Sequence, residues 1–153
     1  RIDPAIIVLV TADDSCLLGR QTGWPAARYS TIAGFLEPGE SLEDAVAREV
    51  REETNIEIAS LQYMGSQPWP FPGAMMIGFH ATAASKAIVL NDGELADACW
   101  FSRADIAAGS IDLPPATSIA FRLIEYWFDQ WNGPRLETLN LSSDFSRHTD
   151  TRR

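Results

Sequence analysis

The chain has 153 residues, a hydrophobic fraction of 46%, a charged fraction of 22% and a formal net charge of −9. That length suits one domain with a real core, and the composition excludes intrinsic disorder and fibrous architectures for the chain as a whole. The 21 Asp and Glu against 12 Lys and Arg argue against a duplex-wrapping nucleic-acid binder or an anionic-membrane binder, so a polyanion is expected to be held only locally, through a cation.

The longest apolar run, residues 5–10, is far shorter than the roughly 20 residues of a membrane span, and no transmembrane helix is expected. Its β-branched residues, the polar Thr11-Ala12-Asp13-Asp14-Ser15 and a second apolar run over 15–20 predict a buried hairpin. Residues 21–28, with Gly23, Trp24 and Pro25, read as a loop, and 29–33 as the next strand. Between Glu37 and Glu57 the texture changes, with eight acids against two arginines. There Ser41 with Asp44 resembles a capping box, and Leu42, Ala45, Val46, Glu49 and Val50 follow helical spacing, which predicts a helix over 42–54.

Short apolar segments at 61–65, 75–81, 87–90 and 98–101, separated by Pro, Gly or Asp-Gly, predict strands. Ser102 with Asp105 predicts a short helix. Residues 116–131 predict a long one, stopped by Gly133-Pro134, with a core-facing stripe of Ile119, Leu123, Tyr126, Phe128 and Trp131. From Glu137 onward the chain is polar, with Arg147, Arg152 and Arg153, and reads as a loosely held tail. Strands and helices do not alternate regularly, so the expected fold is an α/β sandwich with a mixed sheet, not a doubly wound parallel one. Cys16 and Cys99 form no C-x-x-C, which disfavours a disulfide framework or zinc knuckle and points to reduced thiols in the cytoplasm. Arg1 is not an initiator Met and no leader precedes the first strand, so a processed product or a piece of something longer is expected.

Glu49, Glu52 and Glu53 lie at i, i+3 and i+4, so a helix brings all three carboxylates to one face. Such like-charge crowding opposes folding, and it suits a hard divalent cation with oxygen ligands. Three glutamates alone more often make a merely solvated face; the residues around them change that balance. Gly34 and Gly39 allow the backbone to turn beside a ligand, and Glu40 can pair with Arg48, leaving the other glutamates aimed at a metal. Further on, Ser66-Gln67-Pro68-Trp69-Pro70-Phe71-Pro72 alternates prolines, a stiff extended mount for Gln67, Trp69 and Phe71. His80 and His148 have no partner evident in the sequence.

The run Gly34, Glu40, Arg48, Glu49, Val50, Glu52, Glu53 and Ile56 resembles the Nudix box, G-x5-E-x7-R-E-U-x-E-E-x-G-U with U apolar. The one departure is Asn55 where the pattern has Gly, and Asn is the commonest other residue for a left-handed helix end. The proline-rich string resembles S-Q-P-W-P-F-P-x-S, the specificity motif of the NADH pyrophosphatase branch of Nudix hydrolases, with Ala74 replacing the last Ser. The resemblance continues through Asp92-Gly93-Glu94 and Leu113-Pro114-Pro115-Ala116, and covers the chain to about Trp131.

It implies a Nudix α/β/α sandwich, with a catalytic domain over 1–136 and a polar tail over 137–153. It implies Mg²⁺ or Mn²⁺ held by the carbonyl of Ala33 with Glu49, Glu53 and Glu94, and Glu52 as a further ligand or water-activating base. On the substrate side it implies Phe35 stacking on nicotinamide, Trp69 shaping the paired sites of a homodimer, Ala116 near the substrate, and Gln67 as a further substrate-binding residue. Zinc belongs only to a four-cysteine ribbon that such relatives carry upstream of this chain. The reaction implied is hydrolysis of NADH or NAD⁺ to nicotinamide mononucleotide and AMP. ADP-ribose or NAD-capped RNA at the same site stays open. So does a non-catalytic NAD-recognising module, although the intact Glu49, Glu52 and Glu53 disfavour it.

Overall fold

The computed structural model describes residues 1–69, 72–91 and 93–143. Pro70, Phe71 and Asp92, and the tail residues Arg147, His148, Arg152 and Arg153, lie outside the described residues.

The predicted hairpin forms as β1 (Asp3–Ala12) and β2 (Ser15–Gln21), in antiparallel register from Val10 opposite Leu17 to Ala12 opposite Ser15. Asp13 turns the chain at φ 53°, a conformation that short polar side chains tolerate. Next come β3 (Ile32–Phe35), α1 (Leu42–Thr54), β4 (Ile58–Trp69), β5 (Ala74–Ala83), β6 (Leu95–Ser102), α2 (Arg103–Ala107) and α3 (Ile119–Phe128). The sheet runs β4-β5-β1-β2-β6, with β3 beside β1, and is mixed because β1 and β5 are parallel while the other pairs are antiparallel.

Both faces of the sheet are covered, which explains the uninterrupted apolar run in β1. On one side Ile6, Val8, Val10, Leu17 and Ile32 pack against Ala45, Val46 and Val50 of α1. On the other Ile7, Leu9, Cys16 and Leu18 pack against Ile106 of α2 and Ala120, Phe121, Leu123, Ile124, Trp127 and Phe128 of α3. This is an α/β/α sandwich. Among the described residues no helix is long and apolar enough to cross a membrane.

Helix α1 occupies the predicted span because both of its ends carry local signals. The Ser41 hydroxyl accepts a hydrogen bond from the Asp44 N–H at 3.1 Å, and Asn55 takes φ 66°, its N–H bonded to the Arg51 carbonyl. The reciprocal box forms at α2, where the Ser102 and Asp105 side chains each accept from the other's backbone N–H.

Other elements depart from expectation. The third strand begins at Ile32, not Tyr29, because Ser30 makes only an isolated bridge to Gly19 while the Tyr29 hydroxyl donates to Asp97. Residues 87–90 are not a strand. They form a connection pinned at both ends, the Val89 N–H donating to the Thr54 carbonyl and the Trp100 indole to the Lys86 carbonyl. Helix α3 is shorter than the predicted 116–131: Ser118 caps its start and Asp129 ends it, upstream of Gly133-Pro134. Tyr126 faces solvent, outside the core, and Trp131 is only partly buried. His80 does have a partner, its Nε2 lying 2.9 Å from the Leu123 carbonyl. Nor is the start of the polar tail loose. Leu136 opens a 3-10 turn (Leu136–Leu139) and is buried, and the Leu113 backbone bonds to Leu141 and Ser143.

Candidate active site

α1 and β3 together build the site. β3 pairs with β1 so that Ile32 faces the α1 side, and by strand alternation Gly34 faces α1 as well. A Cβ on Gly34 would lie 2.2 Å from the Glu49 carboxyl carbon, so a glycine there makes room for a carboxylate. This corrects the expectation of a turn at Gly34, which sits in extended strand; Gly39, at φ 81°, is the turn residue.

Arg48 holds more than its predicted partner. Its Nε and Nη2 donate to both Glu40 oxygens at 2.6 and 2.9 Å, its Nη1 reaches Glu49 at 2.8 Å and Glu52 at 3.2 Å, and Nη2 also donates to the Phe35 carbonyl at 3.0 Å. The guanidinium holds the Glu40 carboxyl below the ordinary carboxylate range. Burial raises the Glu49 carboxyl above that range; Arg48 pulls the other way, and the charges of Glu52 and Glu94 add to the rise.

Ala33, Phe35, Glu49 and Glu94, four of the predicted site residues, line one cleft of about 510 Å³ together with Arg48 and Met76. Phe35 presents 59% of its surface to solvent there. Glu52 joins them through Arg48, and Glu53 is buried on the same helix. The donor set fits a hard divalent cation: Glu49, whose carboxyl feels the charges of Glu52 and Glu94, beside a strand whose glycine leaves space for it. Among the described residues no three acidic or histidine groups already stand at a shared ligating distance, since Arg48 holds Glu49 and Glu52.

The remaining predicted residues stand apart from this cleft. Trp69, 44% exposed, lines a neighbouring pocket of about 250 Å³ with Trp24, Tyr29 and Pro115. Ala116 lines a third recess of about 260 Å³ with Arg122 and Glu137. Gln67 is bonded to backbone, its Nε2 donating to the Thr117 carbonyl and its Oε1 accepting from the Ile119 N–H, both at 2.9 Å. The sequence reading missed Trp24 and Pro115 as pocket walls. A Trp inside a loop and a Pro-Pro pair before a helix were the available signals.

Residues 1–125 match the NUDIX domain model. The chain belongs to the Nudix family. The Nudix sequence is 51% identical over 127 residues to the NAD-capped RNA hydrolase NudC of Pseudomonas fluorescens, covering 83% of this chain and 45% of that protein. It is 50% identical over 127 residues to the NudC of Pseudomonas putida, with the same coverage. A solved NUDIX hydrolase from Nitrosomonas europaea superposes with a TM-score of 0.65 at 26% identity, covering 84% of this chain and 90% of that one. The Nudix chain thus spans under half the length of the curated relatives it matches. Nudix hydrolases generally work with divalent cations.

Proposed function

We propose that the chain is a metal-dependent pyrophosphohydrolase of NAD-linked dinucleotides, cleaving NADH or NAD⁺ to nicotinamide mononucleotide and AMP. The observation that carries this reading is the convergence of Ala33, Phe35, Glu49 and Glu94 on one cleft beside the acidic face of α1. The half-identity to NAD-capped RNA hydrolases supports the choice of nucleotide.

The residues divide the work. Glu49, Glu53 and Glu94, with the Ala33 carbonyl and Glu52, would hold Mg²⁺ or Mn²⁺. When bound, such an ion neutralises the diphosphate and lowers the pKa of a bound water. Arg48 fixes the carboxylates of Glu40, Glu49 and Glu52 around one guanidinium and so orients the acidic face. We assign to Glu52, the more exposed member, the role of taking the proton of the attacking water, which its exposure and its bond to Arg48 support. Phe35, at the cleft mouth, offers a ring on which nicotinamide can stack, and Gln67, Trp69 and Ala116 complete the substrate side.

The catalytic unit is taken as 1–136, working as a homodimer in the cytoplasm, where free Cys16 and Cys99 stay reduced. NAD-capped RNA is a second substrate, favoured by the relatives' name and opposed by the net charge of −9.

Product analysis with NADH, NAD⁺, ADP-ribose and NAD-capped RNA, with Mg²⁺ and with Mn²⁺, tests the reading. Nicotinamide mononucleotide and AMP are the expected products from NADH. Glu53→Gln should lower kcat by about 10² or more with the fold intact. Binding of NADH without any turnover would instead mark a recognition module.

A further inference from the structure

Residues 136–143 lie past the domain match, which stops at residue 125. They are fastened all the same. The Leu136 N–H donates to the Asp129 carboxylate at 2.8 Å, and Arg135 donates to the Asp129 carbonyl. Leu136 is buried in the core on the α3 side, with Leu139 and Leu141 packed against the same cluster.

Beyond Asn140, which turns the chain at φ 53°, residues 141–143 form the last rung of a small ladder of backbone bonds that starts at β2. Gly19 and Ser30 exchange bonds at 2.8 and 2.9 Å. Tyr29 donates to the Asp112 carbonyl at 3.1 Å and Asp112 to the Ala27 carbonyl at 2.7 Å. Leu113 then donates to the Leu141 carbonyl at 2.8 Å and accepts from the Ser143 N–H at 2.7 Å.

This rung stands between two recesses. Ser143 lines the Trp69 pocket, and Leu136, Glu137, Asn140, Leu141 and Ser142 line the recess of Ala116. The wall between them, Pro114, Pro115 and Ala116, is irregular chain. Its two prolines have no N–H, so they can donate to no ladder and their place is set by the residues that flank them. Downstream the Pro115 carbonyl turns back onto Ser118, the cap of α3. Upstream the hold is Leu113, and both of its backbone groups are taken by residues 141 and 143.

We propose that residues 136–143 are a positioning segment for the substrate side of the site: through Leu113 they set the Pro114–Ala116 wall, and they act through that wall with no group on the reacting phosphates. The proposal rests on the dinucleotide reading above, in which Ala116 belongs to the substrate side.

The test uses the full chain. Ser143→Pro removes the N–H that Leu113 accepts and favours the extended backbone already present before it, whereas Ser143→Ala keeps that N–H and loses only the hydroxyl. In Ser143→Pro KM for NADH should rise about fivefold with kcat within about twofold, because the carboxylate cleft of α1 and β3 is untouched. Ser143→Ala should keep both constants. Two readouts stand apart from turnover. Amide hydrogen exchange at Leu113 should quicken in Ser143→Pro alone, and Mn²⁺ titration should give one dissociation constant for all three chains. Leu136→Ala, which loosens the segment from its buried end, should repeat the change in KM.

Faster exchange at Leu113 with KM unchanged overturns the proposal, as does unchanged exchange, a KM raised equally by Ser143→Ala, or a fall in kcat or Mn²⁺ affinity. A lowered melting temperature with native KM in Leu136→Ala also overturns it, by reducing the segment to a structural role. All of these leave the dinucleotide reading standing. A wild-type chain that neither binds nor cleaves NADH overturns that reading, and the proposal with it.

Discussion

Gly34 and Phe35 are neighbours with opposite duties, one defined by the atom it lacks and the other by the ring it exposes. Gly34→Ala would drive a methyl group into the Glu49 carboxylate and displace it by about an ångström. With Glu49 as the proposed cation ligand, a displacement of that size should lower kcat by about 10² while circular dichroism stays native. Phe35→Ala removes a stacking surface worth about 1 kcal/mol. Its kcat/KM for NADH should drop several-fold to tenfold with ADP-ribose nearly unaffected, and equal losses on both substrates would reduce Phe35 to a packing role. The identity of these residues was legible in the sequence. The reason for Gly34 was not, because the approach of Glu49 to β3 is a tertiary contact between residues 15 apart in the chain. Nor was the reach of Arg48 to Glu49 and Glu52, since spacing alone gives Glu40 as its partner.

Among the elements, α1 was fully legible because Ser41 and Asn55 are signals read within a turn of the helix they bound. α3 was overextended because its apolar stripe runs on to Trp131, while the deciding residues, Ser118 and Asp129, are polar positions inside the predicted segment. Residues 87–90 have strand composition, yet the Val89 N–H bonds to the Thr54 carbonyl at the end of α1 and not to a strand, a tertiary contact that composition cannot reveal. The contact between β5 and α3 carries a pH dependence. Burial lowers the His80 pKa, partly offset by its bond to the Leu123 carbonyl, so the folded state favours the neutral ring. The unfolded chain then binds more protons below about pH 6.5, and the stability due to this group, complete above that value, is lost as pH falls through the depressed folded pKa. Melting temperature should therefore decline on acidification across this window, and His80→Gln should flatten the slope measured by thermal denaturation.

At the scale of the whole molecule, the sheet ends on β4, whose outer edge pairs with no strand among the described residues and carries exposed Tyr63 and Trp69, with Tyr126 exposed on α3 nearby. Such an edge invites pairing with another chain. The proposed homodimer should sediment at twice the chain mass of 16.9 kDa, and a monomer at high micromolar concentration would exclude it.

Arg48 gives the acidic face of α1 a counter-ion of its own, so the helix can fold without waiting for one from solution. On the proposed function a divalent cation would enter there by exchange. It would have to take Glu49 and Glu52 from a guanidinium that keeps Glu40 and the Phe35 carbonyl, so its apparent affinity would be a difference between two competitors for the same oxygens.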